Sequence, residues 1–171
     1  MLAPESIGDI EKWQFSSQLA ERHLTKTNNK RIELNEKMMQ LVLRRRRRKP
    51  LILPKLAYDK NSQEVRLVPG MPVISRRNNK SLDIVNNEHF VIKQIDLEKS
   101  VITLSDGERK IEIPVGDFQS FFYVAYAMTV CKSQGCTFAH SYTIHEWERY
   151  TNRLKYVSLS RASQKELINI A

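Results

Sequence analysis

The sequence predicts an α/β fold, a mostly parallel sheet with a block of short antiparallel strands set into it. Three observations carry this. The last third alternates short apolar runs with helical segments, the pattern of a parallel sheet. From about residue 51 to 124 the chain holds short β-branched runs roughly every ten residues, separated by turn formers. Near the start, a short strand leads directly into helical spacing.

The elements follow in order. In residues 1–20, Ile10, Trp13, Phe15 and Leu19 are spaced roughly as a helix face. Residues 23–25 read as a strand. Thr27 or Asn28 can cap the next segment, where Ile32, Asn35, Met38, Met39 and Val42 fall at helical spacing, predicting a helix over 29–43. LILP, EVRLVP, MPVISR, HFVIKQID, SVITLS and KIEIPV are short strands. DLEKS and SDGER sit where hairpin turns belong, and Asp106-Gly107 is the sharper signal. This spacing suggests a small barrel or curled sheet, with 86–118 as an inserted subdomain. FFYVAYAMTV starts an apolar strand, and KSQGCTF is a polar turn opening a short helix. SYTIH is a strand. EWERYTNRLKYVSLSRA places Trp147, Tyr150, Leu154, Val157 and Ser158 on one side of a helix, and ELINI closes as a strand.

With 171 residues, 41 % apolar and 27 % charged, the chain has the balance of a folded globular domain rather than a disordered one. It lacks eighteen consecutive apolar residues, so no transmembrane helix is expected. The first fifteen residues have neither a basic nor an apolar signal region, and two cysteines cannot build a disulfide framework. An intracellular protein is expected, nuclear or cytoplasmic. The net charge is +9, but Arg44, Arg45, Arg46, Arg47, Arg48 and Lys49 form one run. Without it 22 cations face 19 carboxylates, a balance of +3, so the basicity is a patch. That patch fits a polyanion, nucleic acid ahead of membrane because no amphipathic basic helix surrounds it. Its bland alternative is a solvated loop.

Residues 125–138, AYAMTVCKSQGCTF, and 156–162, YVSLSRA, stand out chemically. A strand ending near Val130 puts the following loop at the sheet edge where α/β folds bind ligands. The loop combines hydroxyls (Thr129, Ser133), a cation (Lys132), an amide (Gln134) and a glycine (Gly135), groups suited to phosphate oxygens. Arg161 lies near a helix end, where a held guanidinium can stabilise the charge of a phosphoryl transition state. Taken alone, a surface ion pair explains Arg161 as well.

Together the two segments resemble motifs V and VI of superfamily 1 helicases of the RecD-like and Pif-type group, which read roughly A-Y-A-x-T-V-H-K-S-Q-G and Y-V-A-L-S/T-R-A. HLTKTNNKRIELN is similar to the strand, T-N pair and helix that open the family's second motor domain. VPGMPVISRRNNKSLDIVNNEHFVI is similar to its G-M/D-x-V-M-x-x-R-N…V-x-N-G-x-x-G-x-V stretch. The resemblance implies a RecA-like second motor domain, residues 1–85 and 119–171, with helices on both faces of its sheet. It implies a small barrel of the Src-homology-3 kind at 86–118. It further implies an ATP-dependent helicase that travels along single-stranded DNA, usually 5′ to 3′, in replication or repair. ATP and Mg2+ would sit in a cleft shared with a first RecA-like domain. By match, Gln134 and Gly135 lie near the γ-phosphate and Arg161 is the arginine finger. Thr129, Lys132 and Ser133 hold the DNA backbone or link it to the nucleotide, and Thr27 and Asn28 touch DNA or shape the strand end. Other replication proteins are further expected partners, and no membrane is.

Departures from the family are specific. Cys131 replaces the usual His. Asn86-Asn87-Glu88-His89-Phe90 lacks both glycines of N-G-x-x-G, although Asn87 tolerates a left-handed turn. The run Arg44 to Lys49 is outside the family pattern and is read as a further DNA contact. No G-x-x-x-x-G-K-[ST] and no magnesium-holding D-E pair occurs, so this polypeptide is not expected to hydrolyse ATP alone. It is read as a fragment of a larger helicase, with a non-catalytic nucleic-acid-binding or scaffolding module as the alternative. Cys131, Cys136, His140 and His145 have ligand types that suit zinc, but the phosphate turn runs through them and no metal is assigned. Cys131 could be a mildly reactive thiol beside Lys132, and is read instead as buried and inert. Phe121, Phe122 and Tyr123 could stack bases and are read as core, as are Trp13 and Trp147.

Overall fold

The computed structural model describes residues 22–46 and 49–171. The face read at Ile10, Trp13, Phe15 and Leu19 lies outside the described residues, as do Arg47 and Arg48. In chain order the strands and α-helices are β1 (Arg22–Thr25), α1 (Asn28–Arg46), β2 (Leu51–Leu53), β3 (Val65–Leu67), β4 (Pro72–Ser75), β5 (His89–Asp96), β6 (Val101–Ser105), β7 (Lys110–Pro114), α2 (Phe118–Phe121), β8 (Phe122–Val124), β9 (Ala127–Thr129), β10 (Tyr142–Ile144), α3 (Asn152–Leu159) and β11 (Ile168–Ile170). They fall into two compact units. One comprises the described residues up to Leu34 together with Ala127–Ala171, the other Asn35–Tyr126.

The first unit is built on a four-stranded sheet of order β11-β10-β1-β9, parallel at every pairing. Non-consecutive neighbours in this order require crossovers, which is why strands and helices alternate in the sequence. The arrangement matches a RecA-like fold. One face carries Leu24, Met128, Tyr142, Ile144, Ile168 and Ile170, which form a core with Trp147, Tyr150 and Leu159. Trp147 is thus core, as read. Alternate residues carry His23, Thr25 and Thr143, all buried. His23 Nδ1 lies 3.0 Å from His145 Nε2, with the rings tilted against each other.

The second unit is built on a five-stranded antiparallel sheet of order β7-β6-β5-β4-β8. Its hairpins turn where the turn formers stand. Ser100 (φ 53°) and Gly107 (φ 111°) take left-handed conformations, and Asp106 Oδ1 accepts the amides of Glu108 and Arg109 at 2.9 Å each. Asn87 is left-handed at φ 70°, so a turn survives there without glycine. Residues 86–118 hold β5, β6 and β7, and the sheet continues beyond them through β4 and β8, which pair at Val73↔Val124. Phe90, Ile92, Ile102, Leu104, Ile113 and Phe122 fill the core, with Phe90 edge-on to Phe122 at 5.7 Å. Arg109 joins three segments by pairing with Asp83, Glu88 and Asp106. β2 and β3 form a separate antiparallel pair.

Three expectations change. FFYVAYAMTV is two strands, because β8 pairs with β4 and β9 with β1. The short helix after Lys132 is a turn. The long helix over 146–162 is a 3-10 turn at Trp147–Arg149 and then α3, because Tyr150 is extended and Thr151 starts a new cap on the Leu154 amide. Among the described residues, no helix is long and apolar enough to cross a membrane.

Candidate functional site

β1 and β9 run parallel with Thr25 beside Thr129, so the turns following both leave the same carboxyl edge of the sheet. The turn after β9 is wound by its own backbone. The amides of Lys132 and Ser133 donate to Thr129 O at 2.9 and 3.1 Å, and the Cys136 amide donates to Ser133 O at 3.0 Å. The Ser133 hydroxyl is fully buried and donates to Val130 O at 2.8 Å. Gln134 and Gly135 are exposed at the tip. Gly135 is left-handed at φ 89°, which an L side chain rarely adopts, and open space lies where a Cβ would project.

Arg161 folds back onto this turn from just beyond α3. Its Nη1 donates to Cys136 O at 3.3 Å and to Ser133 O at 3.5 Å, the residues flanking Gln134 and Gly135. Its Nε donates to Val157 O at 3.1 Å and Nη2 to Ser160 Oγ at 3.0 Å. Among the described residues no carboxylate pairs with it. The guanidinium is therefore held on carbonyl dipoles near a helix C-terminus, with its charge uncompensated by an anion. The backbone fixes its base: Phe138 N donates to Arg161 O at 2.7 Å, and Phe138 bridges Ala162. Buried Tyr142 ties α3 to the sheet by donating to Ser158 O at 2.6 Å. Burial pushes the Cys136 thiol up, against the pull of Arg161 and Arg22. Cys131, expected buried, is exposed in the turn after β9.

On the β1–α1 side, Thr27 caps the helix by accepting the Lys30 amide at 3.2 Å. Asn28 is exposed, and its Oδ1 accepts Arg31 Nε at 3.1 Å. Sequence reasoning missed Glu146. It follows β10 in a left-handed conformation (φ 61°) and receives the Lys26 and Thr27 amides at 2.9 Å each, with the Thr27 hydroxyl at 3.0 Å. Partial burial pushes its carboxyl up, but those hydrogen bonds and the Arg149 charge outweigh it and hold the group below the usual carboxylate range. The visible signal was an acid two residues after the apolar strand β10, at the ligand edge. Replacing Glu146 by Ala strands three donors and is expected to destabilise the chain by about 1–3 kcal/mol in urea unfolding. An unchanged midpoint contradicts the clamp.

The structure thus gathers Thr27, Asn28, Thr129, Lys132, Ser133, Gln134, Gly135 and Arg161 within one unit. Arg44 and Arg45 are exposed at the end of α1 in the other unit, and the backbone of Arg46 ends the helix. Among the described residues no cluster of three His, Cys, Asp or Glu could hold a metal.

No protein-family model matches the chain, and no curated protein matches it significantly. Solved structures do. The Bacteroides Pif1 helicase bound to single-stranded DNA has a TM-score of 0.70 at 17 % identity, over 99 % of this chain and 45 % of that one. The Bacteroides Pif1 helicase in complex with ADP-AlF3 and single-stranded DNA gives 0.67 at 19 %, over 97 % and 44 %. The Candida albicans Pif1 helicase gives 0.67 at 14 %, over 99 % and 49 %. The chain spans less than half the length of these helicases. In fold, it is similar to that portion of a Pif1 helicase.

Proposed function

We propose that this chain is the second RecA-like motor domain of an ATP-dependent DNA helicase that moves 5′ to 3′ along single-stranded DNA and unwinds duplex in replication or repair. The observation that carries the reading is Arg161, a guanidinium without a carboxylate partner among the described residues, held against the turn that displays Gln134 and Gly135. Such a group suits an anion that arrives from outside the domain. The fold likeness to helicases bound to single-stranded DNA and to ADP-AlF3 supports it.

In this reading Arg161 is the arginine finger and Gln134 and Gly135 face the γ-phosphate. Bound ATP with Mg2+ supplies the phosphoanhydride whose cleavage drives the motor, and a first RecA-like domain supplies the remaining contacts. Thr129, Lys132 and Asn28 take the DNA backbone. Ser133 and Thr27 act by shaping their turns, since both hydroxyls already donate within the chain. Arg44 to Arg48 add a nonspecific phosphate contact. The motor body comprises 1–85 and 119–171, and 86–118 forms the heart of a small barrel of the Src-homology-3 kind. The antiparallel strands β5, β6 and β7 of 86–118 support the reading of a small barrel, and β4 and β8 extend their sheet on one side. Single-stranded DNA, the first motor domain and other replication proteins are the partners.

The test is ATP hydrolysis by the complete protein with and without single-stranded DNA. DNA-stimulated hydrolysis is expected, and hydrolysis indifferent to DNA contradicts the reading. Neutralising Arg44 to Lys49 should weaken DNA binding and flatten its salt dependence. Unchanged affinity makes the run a solvated segment.

A further inference from the structure

A second cluster, wholly within the unit Asn35–Tyr126, combines exposed aromatic and cationic groups that the motor reading leaves unused. Tyr58 is 77 % exposed, on a loop that would ordinarily hide such a ring. The loop is rigid in its bonding. Buried Ser62 accepts the Leu56 amide at 2.9 Å and donates to Asp59 O at 2.9 Å, closing the segment that carries Tyr58. The Tyr58 hydroxyl meets Ser120 Oγ at 3.3 Å.

Beside it, Asp59 accepts the Tyr123 hydroxyl at 2.9 Å and pairs with Arg76 at 2.6 Å. The Arg76 guanidinium lies 4.4 Å over the Tyr123 ring and donates to Gln119 O at 2.9 Å. Gln119 in turn donates to Leu53 O and Pro54 O at 3.0 and 2.8 Å, tying the start of the loop to α2. Arg77 is exposed, with its guanidinium stacked 4.3 Å over Phe121. Among the described residues no carboxylate pairs with Arg77. Lys55 and Lys60 flank the loop and are exposed. Asp59, which pairs with Arg76, is the carboxylate among these groups. Ser120, which meets Tyr58, and Phe121, under Arg77, are consecutive residues of α2, so an exposed ring and a stacked guanidinium flank one short helix, an arrangement that takes a base on the ring and its phosphate on the cation.

The geometry points to a second single-stranded DNA contact on this unit, with Tyr58 as a stacking platform for one base and Arg77 as its phosphate clamp. Asp59 and Arg76 are positioning residues that hold the loop and the strand end together. The inference rests on the reading that the chain acts on single-stranded DNA, but it uses residues independent of the motor site.

The experiment measures binding of the 171-residue chain to a fluorescent oligodeoxythymidine across a salt series. Tyr58→Ala should weaken binding about tenfold or more, and Tyr58→Trp should recover it by restoring a ring. Arg77→Ala should weaken binding and lower the salt slope by about one. A 5-iodouracil oligonucleotide should cross-link at Tyr58. If Tyr58→Ala and Arg77→Ala bind within about twofold of the parent while Lys132→Ala is weakened, the contact is overturned and the motor reading stands; a protein-binding patch would give that result. A parent chain that binds no oligonucleotide overturns both.

Discussion

If the proposed function holds, replacing Arg161 by Ala is expected to lower ATP turnover of the complete protein roughly 10³-fold or more, with folding intact. The size follows from what the guanidinium has and lacks. It is positioned by four acceptors, all carbonyls or a hydroxyl, from Val157, Ser133, Cys136 and Ser160. None neutralises it, so its charge remains available to a phosphoryl group in transit. The same contacts explain why the fold survives. Only Val157 O belongs to α3; Ser133 O and Cys136 O belong to a turn that its own backbone already winds, so each lost bond costs about 1 kcal/mol. Arg161→Lys is expected to recover little, because an ammonium cannot reproduce the planar fork that both grips the turn and faces the phosphate. Steady-state hydrolysis, with circular dichroism melting as the folding control, checks this. Parental turnover in Arg161→Ala removes the finger role.

The second large effect is acid destabilisation through His23. This ring, on β1 between β10 and β9, is fully buried, and its Nε2 has no hydrogen-bond partner among the described residues. Burial, with a smaller contribution from neighbouring His145, lowers its pKa to about 4. The unfolded chain takes the proton near pH 6.5, so it binds more protons than the folded one between about 6.5 and 4. Stability from this group is therefore complete above about pH 6.5 and is lost as pH falls toward 4. The total is on the order of 3 kcal/mol. Urea unfolding at a series of pH values should show that slope, and His23→Leu should flatten it. Equal slopes in both proteins place the acid sensitivity elsewhere.

Some of this was legible in the chain and some was not, for physical reasons. The hairpins of β5, β6 and β7 are local objects. Asp106 and Gly107 specify their turn within four residues, so sequence reading found them. The break at Ala125–Tyr126 is not local. An unbroken apolar run serves two sheets because its halves find partners, β4 and β1, that lie far apart in the sequence. Likewise the motif residues were readable as types, but their acceptors were not. Ser133 was readable as a phosphate ligand, but not that the turn would bury its hydroxyl on Val130 O; Thr27 was read as touching DNA or shaping the strand end, but not that Glu146, 119 residues away, would take its hydroxyl. The helix expected after Lys132 fails for the same reason, since Gly135 at φ 89° ends the turn before a second one can form. Thr151 was a readable cap inside the supposed long helix, and it marks where α3 begins.

The most direct measurement compares two ligands in the complete protein, ADP alone and ADP with aluminium fluoride, in the parent and in Arg161→Ala. A finger meets the transferring phosphoryl group, so loss of the guanidinium should leave ADP affinity nearly unchanged while weakening the aluminium fluoride complex by about 10²-fold or more. Equal affinity of both proteins for the aluminium fluoride complex would contradict the account.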